Sequence, residues 1–457
     1  MIIKTQKEKY VVLKEFSLIV PHQMSKEISK RFAPAKEILE NNQNALKKHV
    51  SVEEIKEKLA NAASLCLGTT QNCNLRCKYC VYGGKYKYRR THKDAFMTMD
   101  IYKKAIDFYF DLVNSPHRSN RKPIVLSYYG GEPLLAFQHL LASFDYAIQK
   151  FGESPIKIPI RGLITTNGVL LNRERVEKLL DRNFRIDISL DGPQDQHDKF
   201  RVTVDNRGTF DDIMSHIIDI KTNFPVQFQE NFRFFLTIHP LHDIKRIETF
   251  LLSNPEIFNE RNVLISWVDF RRIKIEYKKK WGPSALKQQD IIDRELDQEQ
   301  WFYKNITGSW LEKIYINPTS DIEAATHFTG TCLPGLDKLF IDTDGGVHIC
   351  EKINSHFPIG HVNSGLDMNK ISTLIADWNN DILKRKCWEC DLWWLCFFCF
   401  ANASDNKSIH LDEQECRKFI VNNGQSLVKF LNLMEKEDEI KSVNRYIDMD
   451  HYLDSLQ

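Results

Sequence analysis

Gln71-Asn72-Cys73-Asn74-Leu75-Arg76-Cys77-Lys78-Tyr79-Cys80 sets three cysteines in the spacing C-x3-C-x2-C. Three thiolates on one short loop can bind three irons of a 4Fe–4S cube and leave the fourth iron open. An open position is what a reacting ligand needs, by the logic that separates catalytic metal sites from closed structural ones. The same spacing admits a zinc knuckle, with His92 as a fourth ligand reached across a Lys/Arg-rich loop.

Outward from this loop, short apolar runs alternate with helix-period stretches. Strand-like runs fall at residues 64–69, 124–129, 161–165, 185–190, 232–238 and 263–268. Helical periodicity occupies 101–112, 133–150, 172–181, 210–222 and 241–252. Six strands alternating with helices argue for an α/β fold with a parallel sheet, whose functional residues belong at the C-terminal strand ends. Periodicity does not separate an open sheet from a partial barrel.

Polar and glycine-rich motifs follow successive candidate strands. Tyr129-Gly130-Gly131-Glu132-Pro133 follows the second, Thr166-Asn167-Gly168 the third, and Ser189-Leu190-Asp191-Gly192-Pro193 the fourth, with His197-Asp198 and Arg201 beyond it. Taken alone, a Gly-Gly-Glu-Pro turn is an ordinary strand-to-helix corner. Taken together with the cysteine loop and the aromatic Tyr79 before its last cysteine, the series resembles the radical S-adenosylmethionine (SAM) superfamily. The resemblance implies a partial (β/α)6 barrel in which the open iron is chelated by the amino and carboxylate groups of SAM. It implies reductive cleavage of SAM to a 5′-deoxyadenosyl radical. It also makes Tyr79, Gly130, Gly131, Glu132, Asn167, Ser189, Asp191 and Arg201 candidate cofactor contacts. Among these, the glycines would let backbone approach the methionine moiety, Glu132 would accept from its ammonium, and Arg201 would meet its carboxylate.

Eleven cysteines are unevenly spread: Cys66, Cys73, Cys77 and Cys80, then none until Cys332, Cys350, Cys387, Cys390, Cys396, Cys399 and Cys416. Such clustering reads as two metal-bearing regions rather than a disulfide scaffold. Cys66 lies inside a candidate strand and reads as a small buried apolar residue. The second region admits one or two zinc sites. It also resembles the SPASM domain of radical enzymes that mature peptides and proteins, which implies one or two auxiliary 4Fe–4S clusters. By position, Cys387, Cys390, Cys396 and Cys416 would hold the outer cluster, and Cys332, Cys350 and Cys399 the inner one. The family usually has three residues where this chain has two, Phe397 and Phe398, between Cys396 and Cys399.

Related sulfatase-maturing enzymes complete the inner cluster with a further cysteine upstream, and this chain has none between 81 and 331. An inner iron is therefore left to His327 or to a substrate thiolate, the arrangement expected of thioether-forming peptide maturases. Formylglycine formation, carbon–carbon or carbon–oxygen crosslinking and epimerisation stay open as alternatives. Nearby Trp388, Trp393, Trp394, Phe397, Phe398 and Phe400 read as core that also shields clusters.

The resulting organisation is an N-terminal extension over 1–63, a barrel over 64–270, a bridging segment over 271–331, a cysteine-rich domain over 332–420 and a helical tail over 421–457. In the extension, residues 10–20 read as one strand and 25–48 and 51–63 as charged helices. A leader-peptide docking role is one reading of it. The basic, aromatic-interleaved run Lys85-Tyr86-Lys87-Tyr88-Arg89-Arg90 reads as a solvated loop rather than an RNA contact, because the net charge of the chain is only +2. No apolar run approaches the ~20 residues of a membrane helix. The expected partners are thus a precursor peptide with a leader and an electron donor such as flavodoxin or ferredoxin, with no nucleic acid and no membrane. The expected location is cytoplasmic. Anaerobic reconstitution with iron and sulfide followed by metal analysis tests the cysteine reading: about eight or twelve irons per chain are expected, whereas zinc without iron refutes it.

Overall fold

A computed structural model describes three strands within residues 2–21 and residues 51–268 apart from 119–122 and 155–157. It further describes residues 273–281, the helix at 301–308, residues 338–403 apart from 353–356 and 391–398, and isolated residues at 284–300 and 413–420. The chain opens with β1 (Ile2–Lys4), β2 (Lys9–Leu13) and β3 (Leu18–Pro21), an antiparallel sheet in that order. The single strand expected over residues 10–20 is corrected by this arrangement. That run folds back on itself, placing Tyr10 opposite Pro21 and Leu13 opposite Leu18, so its backbone groups find partners within the run. The helix expected at 25–48 lies outside the described residues.

Helix α1 (Val52–Ala60) starts on a capping box: Glu54 N–H donates to Ser51 Oγ at 3.2 Å, and Ser51 N–H donates to Glu54 Oε2 at 2.7 Å. A regular alternation follows: β4 (Ser64–Thr70), α2 (Met99–Val113), β5 (Ile124–Gly130), α3 (Phe137–Gly152), β6 (Ile160–Thr166), α4 (Arg173–Leu180) and β7 (Phe184–Ser189). It continues through the one-turn α5 (Gln194–His197), α6 (Phe210–Asn223), α7 (Pro225–Asn231), β8 (Phe232–Ile238), α8 (Ile244–Leu252) and β9 (Val263–Trp267). Helix starts fall where side-chain caps are available: Asn172 accepts from Arg175 N–H at 3.0 Å and Asp243 from Arg246 N–H at 3.1 Å.

Strands β4 to β9 are parallel and lie side by side in chain order. A monotonic order has no point of reversal, so it lacks the switch-point crevice of a doubly wound sheet and matches the expected partial-barrel wall. The bridging segment contains α9 (Trp301–Gly308). Beyond it come β10 (Lys338–Ile341), β11 (Gly346–His348), β12 (Gly360–His361), β13 (Gly365–Leu366) and α10 (Met368–Arg385). Strand β10 pairs parallel with β4, and β11 to β13 extend the sheet antiparallel, giving ten strands in the order β13-β12-β11-β10-β4-β5-β6-β7-β8-β9. The start of the cysteine-rich region is thus built into the barrel's own sheet.

One hydrophobic core runs from Ile55 on α1 through the strands and helices of the barrel to Trp378 on α10 and Phe400. Trp378 is fully buried, its ring 4.6 Å from that of Phe400. Among the described residues no helix is long and apolar enough to cross a membrane. Truncating a fully buried aromatic costs about 3–5 kcal/mol. Trp378→Ala is expected to lower the guanidinium midpoint of barrel and cysteine-rich region together, in one transition followed by circular dichroism.

Candidate functional site

The cysteine motif occupies the loop that leaves β4 at Thr70. Backbone bonds hold it from one side: Arg76 N–H donates to Val202 O at 2.7 Å and Lys78 N–H to Phe200 O at 2.8 Å. Two donors face the first sulfur, Leu75 N–H at 3.4 Å and Asn167 Nδ2 at 3.8 Å from Cys73 Sγ. Burial pushes the Cys73 and Cys77 thiols up to about 12 and raises Cys80 as well. A buried thiol of this kind ionises only when a metal cation compensates its charge, so three such groups with N–H donors around them fit a metal cluster. Among the described residues no three His, Cys, Asp or Glu side chains converge as one ion requires. His92, the alternative fourth zinc ligand, places Nε2 3.6 Å from Cys80 Sγ, with Nδ1 3.4 Å from Gln71 O.

Gly130 and Gly131 bring the end of β5 against this loop. Gly131 N–H donates to Thr70 O at 2.8 Å and Glu132 N–H to Asn72 O at 2.9 Å. A Cβ on Gly131 would sit 1.9 Å from Asn72 O, and one on Gly130, whose φ is +140°, 2.2 Å from Thr70 O. The glycines permit a backbone-on-backbone approach of β5 to the cysteine loop. Glu132 is buried, and its carboxylate is engaged by the protein: Oε1 accepts from Thr166 Oγ1 at 2.7 Å and Leu134 N–H at 3.0 Å, and Oε2 from Asn167 N–H at 2.8 Å. Asn167 in turn donates to Asn74 Oδ1 at 2.8 Å. The ends of β5 and β6 are thereby tied to the cysteine loop.

On the other side, Asp191 is fully buried and receives three donors: Tyr79 Oη–H, Arg201 Nε–H at 2.8 Å and Thr237 N–H at 3.0 Å. Burial acts to raise its pKa, but the Arg201 guanidinium, which also donates to it, outweighs this and holds the carboxylate below its ordinary value. Asp191 N–H donates to His197 Nδ1 at 3.2 Å, and His197 Nε2 lies 3.1 Å from Thr209 Oγ1, whose hydroxyl donates to Arg201 O at 3.2 Å. This network assigns the Nε2–H tautomer to His197, and burial keeps that ring neutral by lowering its pKa to about 3. The Arg201 guanidinium lies 5.5 Å from the Tyr79 ring centroid. Asp191 thus orients Tyr79 and Arg201. Ser189 ends β7, half-buried, opposite Phe235.

In the second region, Cys350 follows β11 and Cys387 follows α10. Burial, with the Glu351 charge and the nearby Cys399, pushes Cys350 up to about 12. Burial, with the neighbouring Cys416 and Cys390, pushes Cys387 up to about 11. Cys350 thus lies within electrostatic reach of Cys399, and Cys387 within that of Cys416 and Cys390. Cys332, Cys396 and His327 lie outside the described residues.

The Lys85–Arg90 run is corrected from a solvated loop to a packed connector. Arg89 Nη1 donates to Lys352 O at 2.7 Å and to Ala401 O at 2.8 Å, and Arg90 Nη1 to Asp342 Oδ2 at 3.2 Å. Its acceptors lie about 250 residues or more away along the chain, so no local pattern announces them; the one hint is that the run follows the last cysteine of the motif. Since Gly131 has no room for a methyl group, Gly131→Ala is expected to lose iron at the first motif while Gly152→Ala, with open space around it, retains it. Iron analysis after reconstitution and desalting reads the difference.

Residues 67–251 match the family model described as the radical SAM superfamily. The cysteine-type anaerobic sulfatase-maturating enzyme of Clostridium novyi (strain NT) is 23% identical over 349 residues, 72% of this chain and 84% of that protein. The radical SAM cyclopropyl synthase TigE of Paramaledivibacter caminithermalis is 22% identical over 64% of this chain and 58% of its own length. Among solved structures, native anSMEcpe with bound AdoMet and Cp18Cys peptide has a similar fold, with TM-score 0.57 and 17% identity over 82% of this chain and 99% of that one. The chain thus carries, over residues 67–251, a domain that matches the radical SAM superfamily.

Proposed function

We propose that this enzyme is a peptide maturase that joins a cysteine sulfur of a ribosomally made peptide to a carbon of another residue. When bound, SAM and a 4Fe–4S cluster supply the electron transfer and carbon–sulfur cleavage that yield a 5′-deoxyadenosyl radical. Cys73, Cys77 and Cys80 hold three irons. Glu132 retains one of its four carboxylate lone-pair positions, on Oε2, for the methionine ammonium. Arg201, anchored through Nε, turns its remaining N–H groups to the carboxylate. Asn167 and Ser189 offer polar edges to the ribose.

The observation that carries the peptide-thioether reading is the cysteine inventory. Cys332, Cys350 and Cys399 leave one iron of an inner auxiliary cluster open, and no cysteine between 81 and 331 can close it. A substrate thiolate taken up there is deprotonated and held near the radical site. Cys387, Cys390, Cys396 and Cys416 close the outer cluster. The N-terminal β1-β2-β3 sheet supports a docking role for residues 1–63, since an extended leader can add to a sheet edge. A flavodoxin or ferredoxin is the proposed electron donor. A second reading, formylglycine formation, is favoured by similarity to the C. novyi sulfatase-maturating enzyme over 84% of its length.

A short cysteine-containing peptide encoded beside this protein, incubated anaerobically with SAM and dithionite, separates the readings by mass spectrometry. Thioether formation removes two hydrogens, keeps the sulfur and blocks alkylation. Loss of the sulfur replaces that reading with formylglycine formation, and an unchanged mass with epimerisation. The Cys73→Ala/Cys77→Ala/Cys80→Ala variant is expected to lose all 5′-deoxyadenosine while keeping auxiliary-cluster absorbance.

A further inference from the structure

The basic run after the first cysteine motif has no part in the chemistry described above, yet its contacts are unusual in where they end. One guanidinium nitrogen of Arg89 reaches two carbonyls, Lys352 O at 2.7 Å and Ala401 O at 2.8 Å. Each acceptor stands two residues beyond a cysteine, Cys350 in one case and Cys399 in the other. The neighbouring contacts run to the same place. Tyr82 Oη–H donates to Glu351 O at 3.2 Å, next to Cys350. Arg90 meets Asp342, which also lies 2.8 Å from His348 Nε2 on the strand leading to Cys350. Gln71 Nε2 donates to Thr343 Oγ1 at 3.0 Å in the turn before that strand.

We infer that Arg89 is a positioning residue for the second metal centre, tying the backbone segments of Cys350 and Cys399 together and to the loop that carries Cys80. The inference rests on the proposed reading that those two cysteines share an auxiliary cluster. Two segments 47 or more residues apart in sequence need an outside tie if their thiolates are to keep a fixed separation, and a planar guanidinium is a rigid one. Ordinary domain packing would place such an arginine against any polar rim. Here each acceptor lies two residues past a proposed ligand, Lys352 in a turn and Ala401 in the helical turn Phe400–Ala403, where a shift in the hydrogen-bonded partner alters the affinity and potential of the metal itself.

The test uses full-length protein reconstituted anaerobically, as wild type, Arg89→Ala, Arg89→Lys and Lys87→Ala. Lys87 is exposed and belongs to the same run, so its variant removes an equal charge from solvent. Release of auxiliary iron to a ferrous chelator is expected to be about tenfold faster in R89A than in K87A. The auxiliary midpoint potential and paramagnetic resonance signal should shift in R89A, and R89K should fall between. The first cluster's response to added SAM serves as the internal standard. R89A matching K87A in release rate and potential overturns the role of Arg89; if R89A does not fold, R89K at the K87A rate does the same. Wild-type protein that holds only about four irons instead sinks the auxiliary-cluster reading, and this inference with it.

Discussion

Two backbone hydrogen bonds, Gly131 N–H to Thr70 O and Glu132 N–H to Asn72 O, seat the end of β5 on the loop that bears the cysteines. They exist only because two successive residues lack a Cβ. From that contact the rest of the site follows in order. Glu132 is placed where it can gather Thr166, Asn167 and Leu134, and Asn167 is placed beside Asn74 and Cys73. Three consecutive loops are thereby held as one unit before any cofactor is considered.

The opposite wall depends on a buried charge. Removing Asp191 and Arg201 from water is unfavourable, and a buried pair is tolerable only when its remaining lone pairs and protons are satisfied. Asp191 meets that condition with the Tyr79 hydroxyl and the Thr237 amide, and its own amide is accepted by a neutral His197. This carboxylate is thus the hub that keeps the aromatic of the motif and Arg201 in register. Its removal would leave a buried guanidinium uncompensated, a much larger penalty than the loss of one ligand contact.

Sheet continuity gives the two cysteine regions a common frame. Strand β10 lies on the outer edge of β4, the strand that launches the first motif, and the hairpin beyond it delivers Cys350. Side-chain ties from Tyr82, Arg89 and Arg90 cross the same boundary. A shared sheet fixes the separation of the two regions more stiffly than a linker would.

Spacing and periodicity within the chain were enough to locate the cysteine loop, the six barrel strands, most of their helices and the polar motifs at strand ends, because each is a local pattern of two to fifteen residues. Residue types at those positions also specified which chemistry could be done there. What the tertiary structure alone decided were contacts between segments: the hairpin in place of one N-terminal strand, β10 against β4, Glu132 and Asp191 gathering donors from the protein, and a basic run packed as a tie. Each of these turns on which backbone or charge comes to lie opposite, a relation set by packing that reaches across as many as 312 positions, from Arg89 to Ala401, and that periodicity does not encode.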